Sequence, residues 1–141
     1  MGLPTEGEEA TDRPALPPRP PLPDAVSAVI AKPGICEPQD VIANRLDPWH
    51  GSWFHPYAFS HLVVDDEASN DHVLVVDVTF RLSRTWGVPV RAEFSCPDTR
   101  TIVMHITEGE GASSVVETHA TPLGLGEDGR PRTMVTEATI A

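Results

Sequence analysis

Val73-Leu74-Val75-Val76-Asp77-Val78-Thr79-Phe80-Arg81-Leu82 decides the fold class. Leu74, Val76, Val78, Phe80 and Leu82 recur at every second position, with Asp77, Thr79 and Arg81 between them. Successive side chains of a strand point to opposite faces, so this spacing describes a strand with one face buried and the other toward water. Downstream the alternation repeats. Val90, Ala92, Phe94 and Cys96 lie opposite Arg91 and Glu93, and Ile102, Met104 and Ile106 form the next apolar row. Ser113 to Thr121 then runs up to Pro122, and Glu127-Asp128-Gly129-Arg130 is a hairpin turn leading into Thr133 to Ile140. From Phe59 onward the chain therefore predicts an antiparallel sheet of five to six strands.

Upstream of Phe59 the spacing is helical. Asp24 to Ala31 predicts a short helix stopped by Pro33-Gly34, and Pro38 to Leu46 a second one with proline in its first turn. The class is α+β, with helices in residues 25–58 and the sheet in 59–141. Residues 1–24 are acidic and rich in proline, densest at Pro17-Pro18-Arg19-Pro20-Pro21-Leu22-Pro23, a composition that favours extended polyproline II and builds no core. This stretch reads as a tail or linker. Arg13 to Pro23 also has the look of a ligand for SH3-type domains, with a solvated spacer as the plainer alternative.

Length and charge narrow the function. A chain of 141 residues holds one domain with a true core. With 10 Lys+Arg against 21 Asp+Glu, the net charge is −11, and no basic run interleaves with aromatics, so nucleic acid and anionic membrane surfaces are not expected partners. The first residues lack the basic and apolar regions of a signal peptide, and no apolar run is long enough to span a bilayer, which points to the cytoplasm. Cys36 and Cys96 have no Cys-x-x-Cys or Cys-x-His neighbour, so neither a disulfide framework nor a zinc or iron–sulfur site is indicated; both read as buried small residues or loop thiols.

The chemistry is concentrated in Asn44-Arg45-Leu46-Asp47-Pro48-Trp49-His50-Gly51-Ser52-Trp53-Phe54-His55. Asp47-Pro48 reads as a helix N-cap followed by proline at the first helical position, which sets His50 in the first turn. Five residues along an ideal helix rotate by about 140°, so His50 and His55 converge only where the helix ends or loosens between them, as Gly51 and Pro56 permit. Two neutral imidazoles are a usual part of a transition-metal site, and Asp47 stands where it could orient one of them, or act simply as a cap. Trp49, Trp53, Phe54 and Tyr57 crowd the segment as candidate pocket walls. Further along, Glu117 and His119 project from one face of a strand; Glu117 is a candidate internal carboxylate, with a solvated face or a cross-strand pair to His105 or Arg91 as the alternatives.

Asn-x-x-Asp-x-x-His-x4-His resembles the iron-site signature of the Rieske non-haem iron oxygenases. Asp47, His50 and His55 match position for position, and Asn44 is one residue closer to the aspartate than in the naphthalene-dioxygenase type. Cys36 to Phe59 is also similar to the catalytic region of actinobacterial Rieske proteins linked with an uncharacterised C-terminal domain. The resemblance spans roughly residues 25–141 and implies a helix-grip catalytic domain. In it His50 and His55 would ligate a mononuclear Fe(II), and Asp47 would bridge to the electron-delivering cluster.

By the same resemblance the domain is expected to be partial. No Cys-x-His and Cys-x-x-His pair encodes a 2Fe–2S cluster, and the family's carboxylate ligand sits on a helix after the sheet that this sequence does not contain. The implied protein is an oxygenase catalytic fragment or component, inactive alone, acting on a small apolar organic substrate with electrons from a Rieske component on another chain. The alternatives are a non-catalytic helix-grip domain that binds an apolar small molecule, and a truncated inactive remnant. With no later helix to lie across it, the sheet's apolar face is expected to need a partner or an oligomer as cover.

Overall fold

The computed structural model describes residues 17–21 and 24–141. Seven strands, β1 (Ser27–Gly34), β2 (Phe59–Val64), β3 (Val73–Arg81), β4 (Gly87–Asp98), β5 (Thr101–Gly109), β6 (Val115–Leu125) and β7 (Pro131–Ile140), form one sheet. Its order is β1-β7-β6-β5-β4-β3-β2, and every neighbouring pair is antiparallel. Two helices, α1 (Pro38–Leu46) and α2 (Pro48–Phe54), lie between β1 and β2 in the chain.

This order dictates where the helices go. β1 and β2 occupy opposite edges, so the chain between them must cross the whole sheet. Six inter-strand gaps of about 4.8 Å would set the edges of a flat sheet roughly 29 Å apart. The sixteen or so helical residues supply about 24 Å at 1.5 Å each. A curled sheet with α1 and α2 over its inner face meets both limits, and α2 packs on β2 while α1 packs on β5 and β6.

The strand β1 corrects the helix expected at Asp24–Ala31. A short run such as Ala28-Val29-Ile30-Ala31 satisfies both a helical and a strand pattern. Pairing decides it: β7 has a free edge, and β1 fills it in unbroken register from Ser27 opposite Ile140 to Gly34 opposite Thr133. Beyond β1, Pro38 stands at the start of α1, and the Asp40 carboxylate accepts the Glu37 backbone N–H at 2.9 Å.

The alternation of β3 persists in space. Val76, Val78 and Val90 are buried together, with Phe59, Leu62, Leu74, Phe80, Val88, Phe94 and Ile106 packed around them. Leu82, counted with that face by periodicity, lies past the end of β3 and is exposed. Strand β6 continues through Pro122, where its pairing with β7 slips before Gly124, a residue with φ +86. Proline in a strand is tolerated at such an irregularity because no ladder hydrogen bond is asked of it. The turn at 126–130 closes with Gly126 N–H donating to the Arg130 carbonyl at 2.8 Å. Cys36 and Cys96 are free thiols, and Cys96 sits exposed in β4. Among the described residues no helix is long and apolar enough to cross a membrane. Of the proline-rich stretch, only residues 17–21 and 24 are described; the rest of the tail expected at 1–24 lies outside the described residues.

Candidate functional site

A cavity of about 340 Å³ lies between the inner face of the sheet and the two helices. Its walls are the inward row of side chains, among them Leu74, Val76, Val78, Phe94, Met104 and Val116. Phe94, Met104 and Val116 are register partners across β4, β5 and β6, so they form one apolar rung through the middle of the sheet. At the helical end the lining turns polar, with Asn44, Arg45, Asp47, His50, His55 and Glu137. Arg45 and Glu137 meet at 2.9 Å and tie α1 to β7 at this end. α1 and α2 thus cover part of the face that the sequence left bare, because the β1-to-β2 crossing carries them over it.

The two histidines come together. Their ring centroids are 5.1 Å apart, and Phe54 stacks on His50 with centroids at 4.8 Å. Asp47 caps α2, its Oδ1 accepting the Trp49 N–H at 3.0 Å. The helix does not loosen at Gly51. It ends at His55, whose φ −123 and ψ 52 leave the helical region while its N–H still donates to the Gly51 carbonyl at 3.1 Å. Gly51 faces β2: a Cβ there would stand at ordinary contact distance from Leu62, 3.4 Å, and Phe59, 3.5 Å. Asn44 Nδ2 lies 3.1 Å from His50 Nδ1 and 3.3 Å from Nε2. An in-plane approach to both nitrogens would collide with the carbon between them, so the amide packs over the ring face. Orientation of His50 therefore falls to Asn44 and Phe54, while the carboxylate of Asp47 is engaged as a cap.

Trp49, Trp53, Phe54 and Tyr57 do not wall the cavity; they are 61% to 88% exposed on α2 and the turn after it. Glu117 and His119 also lie elsewhere. Val116 faces the cavity, so its neighbour Glu117 points to the outer face, yet its side chain is only 1% exposed. It is neither solvated nor paired with His105 or Arg91. Arg91 is held by Asp65 and by Asp77 at 3.1 Å. Glu117 instead receives Arg19, from Nε at 2.5 Å and Nη2 at 2.6 Å, and His119 Nε2 at 3.0 Å. Burial alone would push this carboxyl up, but the hydrogen bonds from Arg19 and His119 outweigh it and hold Glu117 below the usual carboxylate range.

As a metal site the arrangement falls short of a facial triad. His50 and His55 offer two imidazole donors, but among the described residues no three of His, Cys, Asp and Glu stand together in a metal-holding group. Glu137 is turned to Arg45 and Asp47 to the α2 backbone. The residues present do not by themselves complete an iron centre.

The family model described as a domain of unknown function, DUF5914, matches residues 5–141. The chain belongs to the DUF5914 family. The X-ray structure of norcoclaurine synthase from Thalictrum flavum, in complex with dopamine and hydroxybenzaldehyde, superposes on this DUF5914 chain with a TM-score of 0.58 at 16% identity. The match covers 92% of this chain and 79% of that one. At that identity the likeness concerns the fold, and with the seven-stranded antiparallel sheet it makes the DUF5914 domain a helix-grip α+β domain. No curated protein matches the chain.

Proposed function

We propose that this chain binds an apolar small molecule between the sheet and its two helices, without carrying out chemistry on its own. The supporting observation is the cavity itself: an apolar rung of Phe94, Met104 and Val116 at its centre, continued on β7 by Thr139, with Asn44, His50 and His55 gathered at the helical end. Such a division suits a ligand with a hydrophobic body and one polar end. Apolar burial would supply most of the affinity, at about 25 cal/mol per Å² removed from water. His50, His55 and Asn44 would fix the orientation. Norcoclaurine synthase, which shares the fold, is a protein whose structure holds two small aromatic molecules. Titration of the full chain with neutral N-phenylnaphthylamine, read by fluorescence, is expected to give saturable one-to-one binding that chelators leave unchanged. Unsaturable partitioning, or binding abolished by chelator, would sink this reading.

A second reading is favoured by one observation, the 5.1 Å approach of the His50 and His55 rings at the cavity's polar end. Together with the Asp47-His50-His55 spacing it supports an Fe(II) site of the Rieske-oxygenase type. The third donor would come from outside the described residues and the electrons from a separate Rieske component. Under anaerobic equilibrium dialysis the chain is then expected to bind Fe(II) one to one, and His50→Ala and His55→Ala should each abolish saturable binding. Equal iron uptake by the parent and both variants would rule out these histidines as ligands.

A further inference from the structure

Arg19 and Glu117 stand 98 residues apart in sequence, and both guanidinium contacts are to opposite oxygens of the same carboxylate. Two parallel N–H···O bonds of this kind match the fork of arginine and would not be reproduced by lysine. The receiving group is built into the sheet. Glu117 is fully buried in β6, and a carboxylate so placed is costly unless it is paired and hydrogen-bonded. His119 Nε2–H donates to Glu117 Oε2, and the Thr101 hydroxyl stands within hydrogen-bonding distance of the other ring nitrogen, 3.2 Å from Nδ1. Arg19 carries a permanent positive charge and so supplies a counter-charge for Glu117. The surroundings exclude water: Thr101 is buried, and Val103 and Val115, on the same outer face as Glu117, are buried too.

We propose that the outer face of the sheet carries an arginine-binding site, formed by Glu117, His119 and Thr101, whose ligand is Arg19 of the chain's own proline-rich segment. Pro17 to Pro21 is then a strap seated on the sheet. Proline suits this role because an extended polyproline segment has little backbone freedom to lose on docking, so one bidentate anchor suffices to hold it. The strap and the cavity share a strand, since Val116 lines the cavity and the adjacent Glu117 receives Arg19.

The test is nuclear magnetic resonance on the nitrogen-labelled full chain. The Nε–H of Arg19, assigned by its loss in Arg19→Lys, is expected to exchange with solvent roughly tenfold to a hundredfold more slowly than that of an exposed arginine, the range that corresponds to a hydrogen bond to a charged partner of about 1.5–3 kcal/mol. Glu117→Gln should restore fast exchange and lower the backbone heteronuclear NOE of Arg19. A freely exchanging Arg19 Nε–H in the parent chain would overturn the proposal whether or not the Glu117 variant folds. So would protection that appears only as protein concentration rises, because the arginine would then belong to a second copy.

Discussion

Ile102→Ala should lower the free energy of unfolding by about 3 kcal/mol, read as a drop in urea midpoint with the slope preserved. Ile102 is the largest apolar side chain that is fully buried among the described residues, and it sits on β5, in the middle of the sheet order. Strand β6 lies against it on one side with Thr118 as its partner, and β4 on the other, where the pairing slips between Ser95 and Asp98. Strands hydrogen-bonded on both sides cannot close over the vacated space, so the cost should lie within the range of large-to-small core substitutions rather than near the bare transfer value. A domain's net stability is typically about 5–15 kcal/mol, so this one change removes a large share. Val63→Ala is the contrast. Val63 is 46% exposed on the edge strand β2, and the change should cost less than about 1 kcal/mol. Equal losses at the two positions would mean that the sheet's centre is not the core.

The centre of the sheet was readable from sequence because its physics is local. In β3 a two-residue period separates Val76 and Val78 from Asp77 and Thr79, and that period survives any twist or curl. The N-cap at Asp47 was readable for the same reason, since the signal and its consequence lie within two residues. The features that escaped depend on distant pairing. Nothing within Ser27–Gly34 says that β7 has a free edge 100 residues later, so a run compatible with both periods was read as helix. Alternation sets Glu117 opposite Val116 and leaves it open between an internal carboxylate, a solvated face and a cross-strand pair. Its burial is due to outer-face packing in which Arg19, remote in sequence, approaches to hydrogen-bonding distance.

The candidate site shows the same division. The spacing of His50 and His55 calls for a helix that ends or loosens where Gly51 and Pro56 permit, and the rings do approach where α2 ends, at His55 beside Pro56. Gly51 stays helical and has ordinary contact room toward Leu62 and Phe59, so neither flexibility nor close approach requires glycine there. The exposed aromatics follow from a related ambiguity. A seven-residue helix crossing the sheet can press only one side against it, and Gly51 takes that side, so Trp49 and Trp53, each about 160° around the axis from it, turn outward, while Phe54 lies over the His50 ring.

Met104→Trp should weaken binding of N-phenylnaphthylamine by well over an order of magnitude while leaving the fold intact. Met104 stands at the middle of the apolar rung, with Phe94 and Val116 as its partners on either side, and its side chain is only partly buried because it projects into the cavity. An indole there occupies space that the ligand needs, whereas widening Val76 or Val78 would strain the packed layer beneath. If the indole displaces about 100 Å² of apolar contact from the ligand, the loss at 25 cal/mol per Å² is about 2.5 kcal/mol, roughly seventyfold in affinity. Met104→Ala works in the opposite direction, enlarging the cavity, and should retain binding of the same probe. The pair separates occupancy from general damage to the fold. A tryptophan variant that melts like the parent and still binds with parental affinity would move the ligand out of this cavity. Weakened binding in both variants, with melting temperatures lowered in parallel, would assign the effect to stability instead.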